Sequence, residues 1–317
     1  IKEINIKKLY KMERSSLESD CQTLKKLLKE KGEPLINFIL SKTKRERLEL
    51  RQAYQSYFCK DLLNDIDSAL SHDFKKVVMD LFRSPSERDA TYLYRAMKGV
   101  GTDEEAVIEV LCSRSNVEIM KIKEEYRQLF KEDLEKRVYS ETSGNLRKIL
   151  ISILQCQRSE NSVPNDAECR QIAEDLYKAG EGKLGTDEPF FNKVFALSSP
   201  PELYSINNYY TQFSNRTLKQ AVDKEFSGDA KLALNTILEA IISPANYFAG
   251  RINRSVKGLG TKDKMLIRNV VSREEVDMKE VRESYRNLFG KDMVEDIRSD
   301  TSGDYQKILC ALASRDY

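Results

Sequence analysis

The chain has 317 residues, with 53 basic and 51 acidic side chains, a formal net charge of +2 and 40% hydrophobic residues. So even a balance provides no bulk positive field to gather nucleic acid, and both signs of charge are interspersed rather than blocked. The apolar content can fill real cores, which excludes disorder, while the longest uncharged apolar runs, such as 35–40 and 240–242, fall far short of the roughly 18–20 residues that cross a bilayer.

Residues 1–19 read as a polar lead-in with no element assigned. They are charged and lack an apolar run followed by a small-residue cleavage site, so no signal peptide is expected. Position 1 is Ile1, not methionine, and the expectation is a trimmed start. Leu24, Leu27 and Leu28 then set one face of a helix over 21–30, residues 31–34 make a turn, and 35–40 fits a short buried helix. Leu48, Leu50, Tyr54, Tyr57 and Phe58 predict a third helix. Leu62, Leu63 and Ile66 predict a short fourth, and Phe74, Val77, Val78, Leu81 and Phe82 a fifth.

The next unit repeats that order with clearer signals. A helix over 89–97 ends in a glycine loop, and residues 102–105 supply a cap and first-turn acids for the second helix, which turns Val107, Ile108, Val110 and Leu111 inward. Ile119, Ile122, Tyr126, Leu129 and Phe130 mark the third helix, Leu134 and Val138 the fourth, and Leu146, Ile149, Leu150, Ile153 and Leu154 the fifth. Residues 157–168, polar and containing Pro164, read as a linker. Two more units follow, at 169–242 and 243–317. Four units of about 75 residues therefore account for the chain.

One pairing recurs three times. M-K-G-V-G-T (97–102) is matched by S-E-T-S-G-N (140–145), and Gly101 and Glu141 are forty residues apart. V-K-G-L-G-T (256–261) is matched by S-D-T-S-G-D (299–304), and G-E-G-K-L-G-T (180–186) by K-E-F-S-G-D (224–229); Gly260 to Asp300 and Gly185 to Glu225 are also forty. Alternate glycines allow φ > 0 and turn carbonyl oxygens outward. A calcium ion takes about six to eight oxygens, of which two or three loop carbonyls and one bidentate carboxylate supply roughly four or five. Glycine as a plain helix C-cap, with the acid as a cap of its own, demands no fixed interval and does not account for three equal ones. A phosphate-binding P-loop is excluded, because no lysine directly precedes the hydroxyl residue and no strand precedes the loop.

M-K-G-V-G-T-D-E with S-R-S-N (113–116) and S-E-T-S-G-N, and K-G-L-G-T with D-T-S-G-D-Y near the carboxyl end, resemble the repeats of the annexin family over about residues 20–317. The resemblance implies an all-α fold, four five-helix repeats (20–83, 84–156, 169–242 and 243–317) packed into a slightly curved disc with calcium loops on its convex face. Carried over by residue, it implies calcium on the carbonyls of Met97, Gly99 and Gly101 with the carboxylate of Glu141. In the fourth repeat the matching positions are Val256, Gly258, Gly260 and Asp300; in the third, Gly180, Lys183, Gly185 and Glu225. Weaker secondary sites would use Thr102 with Glu104, Thr186 with Glu188, and Thr261 with Asp263. Val100, Leu184 and Leu259 would meet the membrane.

The departures from the family pattern are specific. The first loop, L-K-E-K-G-E-P (28–34), is about three residues short and its acid position is Ala69, so no calcium is expected there. Leu184 stands where some members carry tryptophan. The arginine after the second helix is present as Arg114 and Arg273 but replaced by Lys42 and Ser198, which predicts looser loops, and His72 replaces a loop glycine. Six cysteines without regular spacing or a C-x-x-C pair, and a single histidine, predict reduced and mostly core thiols in a cytosolic protein. The N-x-S/T matches at Asn215 and Asn253 are then chance events.

The expected function is reversible, calcium-dependent attachment to acidic phospholipid, cytoplasmic and peripheral on the inner face of the plasma membrane or on organelle membranes. A single carboxylate per site predicts weak binding in solution that lipid oxygens strengthen. A monomer in solution is expected, with self-association on membranes and ion conduction left open. The alternative is a calcium-independent helical scaffold for cytoskeletal or other protein partners. No nucleophile lies beside a base and no cofactor fingerprint is present, so no enzyme is expected.

Overall fold

The computed structural model describes residues 2–182 and 185–316, with side chains described from residue 16 onward. Five helices open the chain: α1 (Lys2–Glu30), α2 (Gly32–Leu40), α3 (Lys44–Phe58), α4 (Leu62–Ala69) and α5 (His72–Leu81). The order returns as α6 (Pro85–Ala96), α7 (Glu104–Cys112), α8 (Asn116–Phe130), α9 (Leu134–Glu141) and α10 (Gly144–Leu154). It returns again as α11 (Asp166–Ala179), α12 (Glu188–Leu197), α13 (Pro200–Ser214), α14 (Leu218–Glu225) and α15 (Gly228–Ile242). The last set is α16 (Pro244–Val256), α17 (Asp263–Arg273), α18 (Met278–Phe289), α19 (Met293–Asp300) and α20 (Gly303–Ala313). No strand occurs among the described residues. Two compact units divide the chain: residues 1–84 with 248–317, and residues 85–247.

The same local chemistry starts the third helix in three of the four sets. Thr43, Ser115 and Ser199 cap α3, α8 and α13 through reciprocal boxes with Glu46, Glu118 and Glu202. Those helices end in left-handed residues Cys59, Lys131 and Asn215, and α18 ends likewise at Gly290. Each carries one wholly buried tyrosine: Tyr54, Tyr126, Tyr210 or Tyr285. The first helix of a set packs on the third, as α1 on α3, α6 on α8 and α11 on α13.

Several expectations are redrawn. No glycine or proline interrupts 2–30, and α1 runs through the lead-in as one helix; among its described side chains, Cys21, Leu24 and Leu28 are buried. Ile1 lies outside the described residues. Tyr57 and Leu129, which helped to mark the third helices, are exposed at 45% and 43%, and Leu48 is half-buried while its neighbour Arg47 is fully buried. Arg47 is buried because its Nη2 pairs with Glu274, which also binds Arg315 at 2.9 Å. The stretch 157–168 is tied down at several points: Asn116 Nδ2 donates to the Arg158 carbonyl at 2.8 Å, and Ser159 N–H donates to the Leu197 carbonyl at 2.6 Å.

Candidate metal-binding loops

The loop between α6 and α7 turns on two glycines in the left-handed region, Gly99 at φ 105° and Gly101 at φ 83°. The loop between α16 and α17 repeats this with Gly258 at 120° and Gly260 at 80°, and Gly185 at 83° does so between α11 and α12. A Cβ on any of these five would meet nothing within 4 Å, so backbone conformation rather than crowding calls for glycine. Each loop is closed at its neck by a main-chain bond: Asp103 N–H to Ala96 O at 2.8 Å, Asp187 N–H to Ala179 O at 2.7 Å, and Lys262 N–H to Ser255 O at 2.8 Å. Val100 and Leu259, between the glycines, are fully solvent-exposed at 108% each.

The three acids are the last residues of α9, α14 and α19, and each is tied to its loop by a threonine. Thr102 Oγ1 donates to Glu141 Oε2 at 2.8 Å, and Thr186 Oγ1 to Glu225 Oε2 at 2.6 Å. Thr261 Oγ1 instead donates to the main-chain carbonyl of Asp300 at 2.7 Å, which leaves Asp300 Oδ2 buried with no hydrogen-bond partner. Thr102 does not cap α7; Asp103 does, accepting from Ala106 N–H, and Asp187 caps α12 in the same way. Among the described residues no three His, Cys, Asp or Glu side chains converge on one point. A cation here would therefore draw most of its oxygens from main-chain carbonyls.

The donor set suits a hard cation. Each loop offers carbonyls beside one carboxylate, and Asp300 Oδ2 is a buried carboxylate oxygen with no hydrogen-bond partner. Gly180 is closely approached: a Cβ there would stand 3.4 Å from Glu225 Cγ and 3.2 Å from the Phe191 ring. Lys183 and Leu184 lie outside the described residues. Of the secondary acids, Glu188 is exposed and Glu104 half-buried; Asp263 lies near Tyr305 and Asp73, and burial raises its pKa. In the first set, Lys31 alone separates α1 from α2, and Ala69 ends α4.

Two basic residues that the sequence reading passed over act on these loops and their neighbours. Arg137 on α9 donates from Nη2 to the Met97 carbonyl and pairs with Glu141 Oε1 at 3.1 Å. Its signal was its position four residues before the acid, where α4 and α19 carry Asp65 and Asp296. Arg158, in the stretch after α10, donates to the Ser198 carbonyl at 3.0 Å and so braces the loop that lacks its own arginine. Arg114 pairs with Asp89 at 2.7 Å, and Arg273 with Asp277 at 2.5 Å.

Four five-helix sets, three of which set a glycine loop against a carboxylate, define an all-helical repeat protein. The family model described as Annexin matches residues 19–81, 88–153, 171–237 and 247–312. Annexin A13 of Canis lupus familiaris is 40% identical over 299 residues, covering 93% of this chain and 95% of that protein. The solved structure titled annexin III superposes with a TM-score of 0.91 at 31% identity, over 95% of this chain and 94% of that one. A calcium-bound annexin (Sm)1 superposes with a TM-score of 0.84 at 29% identity, over 95% and 91%. The chain belongs to the annexin family. Proteins of this family in general bind phospholipid in a calcium-dependent way.

Proposed function

We propose that this chain attaches reversibly to acidic phospholipid when calcium rises, through the loops of its second, third and fourth repeats (84–156, 169–242 and 243–317, the linker being 157–168). The observation that carries the reading is the triple recurrence of a left-handed glycine loop tied by its threonine to a carboxylate at the end of the fourth helix. The proposed ligands are the carbonyls of Met97, Gly99 and Gly101 with Glu141; of Gly180, Lys183 and Gly185 with Glu225; and of Val256, Gly258 and Gly260 with Asp300. Bound calcium would supply positive charge that anionic headgroups can share.

The chain's own part is to hold carbonyls outward and to carry Val100 and Leu259 past the loop surface, where an apolar side chain can enter a headgroup layer. One carboxylate per site keeps each weak in solution, and reciprocal coupling with lipid together with three sites provides strength by avidity. The first repeat, with its one-residue turn and Ala69, takes no part. The proposed location is cytoplasmic, peripheral on the inner plasma membrane or organelle surfaces.

Cosedimentation with phosphatidylserine vesicles tests this. Pelleting is expected in calcium and not in chelator, and Glu141→Gln, Glu225→Gln and Asp300→Asn together should abolish it while the helical circular dichroism is kept. Equal pelleting in calcium and chelator would sink the reading and favour a calcium-independent scaffold.

A further inference from the structure

Position four before the acid of the fourth helix has a settled role in two repeats. Asp65 Oδ2 accepts from Tyr54 Oη at 2.6 Å, and Asp296 Oδ2 from Tyr285 Oη at 2.7 Å. In the third repeat the position is Ala221, and Tyr210 donates elsewhere, to Glu181 Oε1 at 3.0 Å. Only in the second repeat does the position hold a cation, Arg137, and there the buried Tyr126 hydroxyl has no hydrogen-bond partner. Arg137 turns the other way. Its guanidinium takes the Met97 carbonyl and Glu141 Oε1, bridging the first residue of the loop to an acid that lies on another helix.

We infer that Arg137 is a tethered internal competitor of the metal, closing the second-repeat loop until calcium displaces it. This rests on the reading of the loops as calcium sites. A guanidinium held on the same helix as Glu141 competes as an intramolecular ligand, at a high effective concentration. Its two contacts are charge-assisted or ionic, the stronger kind of hydrogen bond. A calcium ion using Met97 O and Glu141 must break both. The second repeat, whose sequence matches the family pattern well, therefore has a higher calcium threshold than the fourth. The fourth repeat has no such cation: Asp296 faces Tyr285, and Asp300 Oδ2 is unpartnered. Calcium should fill the fourth repeat before the second, so attachment is graded rather than a single step.

The test uses the full chain carrying Glu225→Gln and Asp300→Asn, which leaves the second repeat as the remaining site, and follows the melting temperature against calcium concentration. Adding Arg137→Gln should reach a given rise in melting temperature at about tenfold less calcium, the worth of one lost charge-assisted hydrogen bond. Arg137→Lys, which keeps the charge, should remain close to the parent. Arg137→Asp, which copies Asp65 and Asp296, should move with the glutamine variant and, in chelator, melt no lower than the parent, because Tyr126 gains an acceptor. A curve for Arg137→Gln that overlays the parent, moves to higher calcium, or shows only a lower melting temperature in chelator overturns the inference. If the unsubstituted chain responds to calcium while neither the parent nor Arg137→Gln does, the inference falls alone. If the unsubstituted chain itself shows no response into the millimolar range, it falls together with the reading of the loops.

Discussion

His72 opens α5 in the left-handed region at φ 52°, where the other repeats place Gly144 at 58°, Gly228 at 56° and Gly303 at 62°. A side chain in that region costs about 1 kcal/mol or a little more, and His72 is exposed, so little packing offsets it. His72→Gly should raise unfolding stability by about 1 kcal/mol, less the chain entropy that glycine adds to the unfolded state. Urea melts at neutral pH check it, and a destabilised variant would show that the imidazole holds the turn. That position was legible in the sequence, because alignment of the four copies exposed the missing glycine. Arg137 was not. Its pairing with Glu141 follows from helical spacing, but its bond to Met97 depends on where a long side chain points across a tertiary gap.

Among the elements, the loops were more legible than their bracing. Glycine at alternate positions fixes a backbone conformation locally, and the acid's forty-residue interval spans three helices whose lengths trade against their turns, so loop and carboxylate could both be read from one dimension. The stretch after α10 could not, since its polar composition says linker whether or not it is pinned. In the folded chain Arg158 donates to the Ser198 carbonyl, and burial lowers its pKa from 12.5 to about 10. That lowering means the charge is held at a desolvation cost, so the gain on removing the charge partly offsets the bond that is lost. Arg158→Ala should therefore destabilise by only about 1–2 kcal/mol. The loop around Ser198 should loosen more than that figure suggests. Hydrogen exchange at the amides of Ser198, Ser199, Glu202 and Leu203 checks it: faster exchange there with the 85–96 helix unchanged is the expected result, and uniform exchange across the unit would show that the brace is idle.

At the scale of the whole chain, the repeated buried tyrosine sets how stability depends on pH. Tyr54, Tyr126, Tyr210 and Tyr285 are wholly buried, and desolvation raises their pKa values above the ordinary 10; Tyr305 is raised for the same reason, with Asp263 adding to it. Desolvation also pushes Cys21 up to about 11 and Cys112 up to about 12, from 9.0. These groups keep their protons in the folded chain at pH values where the unfolded chain has lost them. The folded state then binds more protons, so stability falls as pH rises. The contribution is complete below about pH 9 and drains away above it, first through the thiols and then through the phenols. Each phenol held protonated at pH 10.5 against an unfolded value near 10 forfeits about 0.8 kcal/mol, so the five together forfeit roughly 4. Arg158 works in the opposite sense, because its folded pKa is lowered, but only above about pH 10 and as one group against seven. Unfolding free energies from urea melts at pH 7.5 and 10.5 should therefore separate by several kcal/mol, and Tyr126→Phe should narrow the gap at little expense at neutral pH, because its hydroxyl has no hydrogen-bond partner to lose. The same substitution at Tyr285 should narrow the gap while costing stability at pH 7.5, since that hydroxyl donates to Asp296. Free energies that coincide at the two pH values would mean that the buried phenols ionise as easily inside the fold as outside it.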